Sequence, residues 1–477
     1  MNKTLKNIFY VFLQQLVNTI LPFLTIPYIA RVLGVEQNGI FAYSLTIVNL
    51  FAVFFAFGFA VHGANIIAQS KGKDRNITYI ELQVLRIFFL LIGCLLYLIL
   101  LNFYSIPYSQ TIFLLQGIII LSFVFDNSWY YQGTGEFKKI VTRNIMVKLI
   151  GTLSVFIFVK NPEDLWIYIL LINGSQLLGN IILFQDTLGL FKLINQVRIQ
   201  RLIYHFNVSF FLFLPNISVL IYTSFDRILL GSVGDIEGLA NYQHVQRIIT
   251  FAYAFLMIVS PVLIQKIATQ RSNNLDKEAN FIIRKGLNIY LLLGLFIISV
   301  ISLTSKEIIM LFLGPDYQQA VYLFIILSPI LLFKSLGAVI GGWYLVPLGR
   351  NKLHSLPLVI GTIISIILNL IITPHIGVLA AATIFVLTEL IIITIQLIYS
   401  KEVFLFFEKS THVYFLIIFL VSFLVTNLVF TTEKMQSDFF GLTLKILFFS
   451  FISVVFMFIL KKTRLFIIDY YVIIRER

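Results

Sequence analysis

Hydrophobic runs alternate with short polar turns along the whole chain. Reading the runs between turns predicts fourteen helical spans, near 7–33, 40–68, 79–103, 108–131, 143–160, 164–189, 207–230, 239–266, 282–305, 317–346, 355–373, 377–399, 411–431 and 440–460. A bilayer hydrocarbon core of about 30 Å is crossed by roughly 20 apolar residues in a helix, so most of these runs suffice. No polar stretch is long enough for a separate soluble domain. The pattern predicts an all-α polytopic membrane protein.

Within this pattern the chain repeats itself. The stretch from Pro22 to Tyr43, P-F-L-T-I-P-Y-I-A-R-V-L-G-V-E-Q-N-G-I-F-A-Y, returns in altered form as Tyr222 to Tyr242, so that Arg31, Gly34, Gly39 and Tyr43 have counterparts in Arg227, Gly231, Gly238 and Tyr242. Trp129-Tyr130 with Gly135 and Lys138 returns at the same spacing as Trp343-Tyr344, Gly349 and Lys352. Two echoes in the same order indicate a duplicated unit of six spans. An even number of spans gives both copies the same orientation, the parallel-repeat arrangement found among transporters. The expected organisation is an N-terminal lobe over 1–189, an amphipathic basic linker over 190–206 read as a helix on the cytoplasmic membrane surface, a C-terminal lobe over 207–400, and two further spans with a basic tail over 401–477.

Charge tests this map independently. With both termini cytoplasmic, the inside segments carry 26 of the 35 Lys and Arg and the outside segments 6, which fits the positive-inside rule. The census places Arg143 and Lys148 in an inside segment and Lys445 in an outside one. A formal charge of +13 reflects this loop bias and no nucleic-acid-binding domain.

Composition agrees, with 59% hydrophobic and 12% charged residues. A single cysteine, Cys94, precludes an internal disulfide or a Cys-based cluster. No G-x-x-x-x-G-K-[ST] occurs, and the histidines show no metal-ligand spacing. Neither an enzyme nor a cofactor-binding protein is expected.

Chemistry is therefore sought among charges at membrane depth, which are costly and persist where they face water or a partner. Arg247, Lys334 and Glu389 are the deepest. Arg247 follows His244 by three positions on one helix face, the most polar patch in any span, and reads as an anion contact in a cavity; the alternative is pairing with Asp226 or Glu237. Lys334 is either a cavity group or the partner of Glu389, and Glu389 is alternatively a proton-coupling carboxylate. Arg31 and Arg227, the latter beside Asp226, end their helices as gate or helix-end groups. Asp126 stands one turn before Trp129. Pro22 and Pro27 each remove a backbone donor and predict a bend or break in the first span.

The P-Y-I-A-R-V-L-G-V-E-Q-N-G-I-F-A-Y, D-R-I-L-L-G and D-N-S-W-Y-Y-Q-G-T-G-E-F stretches resemble the Wzx-type polysaccharide repeat-unit flippases of the multidrug/oligosaccharidyl-lipid/polysaccharide exporter superfamily. The resemblance implies two six-helix bundles around a central cavity. It also implies alternating access that carries an undecaprenyl-diphosphate-linked oligosaccharide from the inner to the outer leaflet of the bacterial plasma membrane. On that basis Arg247, aided by other basic groups, would meet the diphosphate. Gln14, Gln15, Asn18 and Asn49 would meet sugar hydroxyls. Implied partners are the lipid-linked substrate, membrane lipids, a polysaccharide polymerase, glycosyltransferases and H+ or Na+. The rival readings are a cation-coupled multidrug antiporter of the same superfamily, disfavoured by the lack of Asp or Glu in the first two spans, and a non-transporting scaffold of a polysaccharide synthase.

Overall fold

A computed structural model describes residues 3–103, 108–407, 409–430 and 439–459, with some side chains inside the helices left undescribed; the basic tail lies outside these residues. The chain divides into two compact units, Met1–Ala240 and Asn241–Arg477. The first unit is built from α1 (Lys3–Ala56), α2 (Phe59–Gln69), α3 (Gly72–Phe103), α4 (Gln110–Gln116), α5 (Ile118–Val124), α6 (Ser128–Thr134), α7 (Phe137–Phe158), α8 (Leu165–Gln185) and α9 (Ile199–Ser232). From there α10 (Ile236–Leu256), α11 (Ser260–Ser272), α12 (Asp276–Phe312), α13 (Gln318–Leu327), α14 (Pro329–Ala338), α15 (Asn351–Ile376), α16 (Val378–Tyr399), α17 (Lys409–Val429) and α18 (Phe439–Ile459) follow. Among the described residues, eight helices are long and apolar enough to cross a bilayer, ten if each of two bent pairs counts as one, with shorter apolar helices at Val413–Val429 and Gly441–Met457. Among the described residues the protein is all-helical, and it is an all-α polytopic membrane protein as the hydropathy predicts.

Breaks fall where backbone chemistry allows them, which is not always at proline. Within α1 the helical pattern runs through Pro22 and Pro27, and the one non-helical residue is Gly34 (φ 72°). The expected break at the prolines is absent. Within this stretch the Thr25 hydroxyl donates to the Pro22 carbonyl (2.8 Å), and both prolines keep helical φ, which their rings favour. Gly34 supplies the left-handed backbone for the turn between the first two spans, and Asn38 Nδ2 donates to the carbonyls of Ile29 (3.1 Å) and Gly34 (2.7 Å) across it.

The second span breaks again between α1 and α2 at Phe57 and Gly58, both at positive φ. Its counterpart in the second unit bends by 43° between α10 and α11, ahead of Pro261. Pro329 opens α14 at a bend of 41° from α13, the site at which a ring without a donor is expected to kink a helix.

One stretch differs from the pattern-based reading. The linker is a 3-10 helix over Leu188–Gln196, followed by extended Val197 and Arg198 and then by α9, and not one surface helix. Arg143 and Lys148 lie inside α7, and Lys445 inside α18, within the spans that the hydrophobic runs predict. In the second unit, Phe415, Ile418, Phe419 and Phe449 of α17 and α18 pack around Leu303 of α12. There Lys445 Nζ and Glu307 Oε1 form a buried ion pair at 2.8 Å. Burial without water makes such a pair obligatory once one member is present.

Candidate functional site

The D-N-S-W-Y-Y element, residues 126–131, is a hub of the first unit. Asp126 ends the irregular turn between α5 and α6, and its Oδ1 accepts from the Ser128 amide (3.0 Å) and hydroxyl (2.5 Å). Arg86 of α3, only 2% exposed, donates to the Asp126 carbonyl (2.5 Å) and to Oδ2 (3.3 Å). From α7, Arg143 lies 3.9 Å from Oδ1 and donates to Ser128 Oγ (2.9 Å) and to Asn180 Oδ1 of α8 (2.6 Å). Asn127 Nδ2 donates to the Tyr79 hydroxyl (2.8 Å) and to Thr187 Oγ1 (2.7 Å). One short turn thereby ties α3, α7 and α8 together. A fork of fixed donors on each arginine suits it to join a carboxylate and neighbouring carbonyls at once.

Trp129 is buried between α2 and α3, stacked on Tyr79 with ring centroids 5.4 Å apart. Trp343, its counterpart, is buried in a π-helix over Val339–Leu345, lies edge-on to Tyr290 at 5.7 Å, and donates from Nε1 to Ser260 Oγ (2.8 Å). Each indole abuts a glycine: Gly63 in the first unit and Gly286 in the second. The neighbouring Tyr344 hydroxyl donates to Glu402, which Arg350 approaches to 3.8 Å. The duplicated W-Y pairs therefore hold equivalent wedges of their own units.

Of the duplicated arginines, Arg31 is exposed just before the Gly34 turn. Arg227 is half-buried and donates from Nη2 to the Thr223 carbonyl (2.5 Å), while its amide donates to Asp226 Oδ1 (2.7 Å). Tyr43 of the first copy rests on Gly231 of the second.

His244, on α10, is buried, with its ring edge-on to Tyr317 at 5.2 Å and neither ring nitrogen hydrogen-bonded. Arg247, one turn on, is half-buried. Lys334 Nζ of α14 lies 3.4 Å from Glu389 Oε1 of α16 and 5.2 Å from the Phe385 ring centroid, with Glu389 6% and Lys334 29% exposed. The lysine thus keeps one side open while it neutralises a buried carboxylate. Gln14 and Asn49 are half-buried on α1; the side chains of Gln15 and Asn18 lie outside the described residues. Among the described residues, no group of three or more His, Cys, Asp and Glu side chains is placed to hold a metal ion.

Residues 4–264, more than half of the 477-residue chain, match the family described as "Polysaccharide biosynthesis protein". The chain belongs to that family. A "Putative O-antigen transporter" of Shigella dysenteriae is 22% identical over 403 residues, covering 82% of this chain and 98% of the relative. A protein of the same name from Escherichia coli (strain K12) is 24% identical over 411 residues, covering 83% and 96%. Among solved structures, "Lipid II flippase MurJ, inward closed conformation" matches with a TM-score of 0.75 at 17% identity, over 95% of this chain and 98% of that one. An inward-facing "multidrug resistance MATE family transporter of the MOP superfamily" matches with a TM-score of 0.61 at 12% identity, over 83% and 97%. This polysaccharide biosynthesis protein has the fold of that superfamily.

Several polar groups of this family member carry no spacing signal in the sequence. Glu307 and Lys445 sit on helices remote in sequence, and His205 is equally remote from His62 and Glu81. Arg86, near one end of its span, is turned inward onto Asp126.

Proposed function

We propose that this chain is a flippase of the bacterial plasma membrane. It moves undecaprenyl-diphosphate-linked oligosaccharide repeat units from the inner to the outer leaflet by alternating access, for assembly of cell-surface polysaccharide, and it does so without chemical conversion of the substrate. The observation that carries this reading is the near full-length match to relatives named as O-antigen transporters, made by a chain that belongs to a polysaccharide biosynthesis family.

Physical chemistry is consistent with it. A flippase must shelter a sugar diphosphate from hydrocarbon while its prenyl tail stays in lipid. Cations at membrane depth suit a diphosphate, and Arg247 and the open side of Lys334 are the groups assigned that contact, with His244 beside Arg247. Gln14, Gln15, Asn18 and Asn49 are assigned to sugar hydroxyls. Arg31, Arg227 and Asp226 are assigned to the outer ends of the duplicated helices, with the amino and carboxyl termini cytoplasmic. A polymerase and glycosyltransferases are the expected downstream and upstream partners.

The test is complementation of a deletion strain. Wild type should clear accumulated lipid-linked repeat units and restore surface polymer, Arg247→Ala should leave the units accumulated, and Arg247→Lys should restore part of the flux. Normal polymer with Arg247→Ala at wild-type protein level would remove the arginine from this role, and normal polymer in the deletion strain itself would remove the function.

A further inference from the structure

A chain of titratable side chains, separate from the groups above, crosses three helices of the first unit. His62 Nε2 on α2 is 2.9 Å from His205 Nδ1 on α9, and His205 Nε2 is 3.4 Å from Glu81 Oε2 on α3. Arg201 Nε, one turn before His205, is 2.9 Å from the same carboxylate oxygen. Its guanidinium continues to Asp74 Oδ1 (3.0 Å) and Thr78 Oγ1 (2.8 Å). His62, His205 and Glu81 are 5%, 1% and 0% exposed. Glu81 Oε1 is buried and has no hydrogen-bond partner.

The facing groups can be named helix by helix. From α2 comes His62; from α3 come Asp74 and Glu81; from the extended residue ahead of α9 comes Arg198, and from α9 itself come Arg201, Tyr204 and His205. With both imidazoles neutral, the two arginines balance the two carboxylates. One additional proton leaves the cluster positive, and the burial of His62, His205 and Glu81 magnifies that change at their end of it.

Geometry sets the direction of the hydrogen bonds. An ionised Glu81 accepts only, so the proton of His205 is on Nε2, its Nδ1 accepts, and His62 donates from Nε2. His62 Nδ1 is then the basic atom at the end of the chain. When it takes a proton, the His62 Nε2–H bond breaks as a bond to His205 Nδ1 forms. The His205 Nε2–H bond then breaks as a bond to Glu81 Oε2 forms. The product is a neutral glutamic acid and two neutral imidazoles in their other tautomers. Loss of the negative charge weakens the Glu81–Arg201 ion pair, which fastens α9 to α3.

We propose that His62, His205 and Glu81 form a proton-binding site, and that its occupancy releases the α3–α9 clamp so that proton movement accompanies transport. The coupling part rests on the flippase reading; the proton site itself does not.

The two parts are tested separately on the full-length protein. Infrared titration of the solubilised protein should show a protonated-carboxyl band that Glu81→Gln removes and His62→Gln shifts. Absence of a band assignable to Glu81 across the pH range in which the protein stays folded overturns the site. Next, lipid-linked repeat units extracted from a deletion strain are reconstituted with the protein, and translocation is followed against pH. A wild-type rate that varies with pH, flattened in His62→Gln and His205→Gln, supports the coupling; the same profile in all three overturns it. If His205→Gln does not fold, His62→Gln alone decides by the same criterion. A wild type that moves no substrate at any pH, with the Glu81 band present, overturns the coupling and the flippase reading while supporting the proton site.

Discussion

Trp129 lies so close to Gly63 that a β-carbon built on the glycine would come within 2.4 Å of the indole ring. Gly286 and Trp343 repeat the relationship in the second unit, at 2.3 Å. Such contacts leave no room for a methyl group. Gly63→Ala should therefore destabilise the protein by about 1–3 kcal/mol, the ordinary cost of overpacking. The check is thermal unfolding in detergent, with Trp129→Leu expected to relieve part of the loss; an unchanged melting temperature for Gly63→Ala would contradict the packing described.

Arg86, Asp126 and Arg143 form the polar fastening of the first unit. Arg86→Leu leaves Asp126 with the more distant Arg143 alone, and the expected cost is about 3 kcal/mol for a partner removed from a buried pair. Adding Asp126→Asn should recover part of it. A double-mutant cycle on stability measures this, and additive losses would show that the two side chains are not coupled.

Glu307 and Lys445 join α12 to α18. Either Lys445→Met or Glu307→Gln should destabilise the fold, and the two together should destabilise it less than the sum. The cause is that each single change leaves one buried charge without its partner. Limited proteolysis after residue 400 reports the loosening; equal cleavage of single and wild-type proteins would argue against it.

Lys334 and Glu389 distinguish an ion pair from a substrate contact. Exchanging the charges, Lys334→Glu with Glu389→Lys, keeps a pair but relocates the cation. Stability should be largely retained while clearance of lipid-linked repeat units falls. Full recovery of both would assign the lysine to structure alone.

The sequence by itself determined the solvent, the helical class and the duplicated order of elements. These follow from hydropathy summed along single segments and from repeated motifs such as Trp129-Tyr130 and Trp343-Tyr344, which need no knowledge of neighbours. It did not determine where helices break. Pro22 and Pro27 are carried inside α1 while Gly34 and Gly58 turn the chain, because a proline removes one donor yet keeps a helical φ, whereas glycine adopts the positive φ of a turn without a steric penalty. Nor did it determine which charges meet. A span that is apolar on nearly every face does not encode its rotation, so only tertiary packing turned Arg86 to Asp126, Lys445 to Glu307, and His62 through His205 to Glu81.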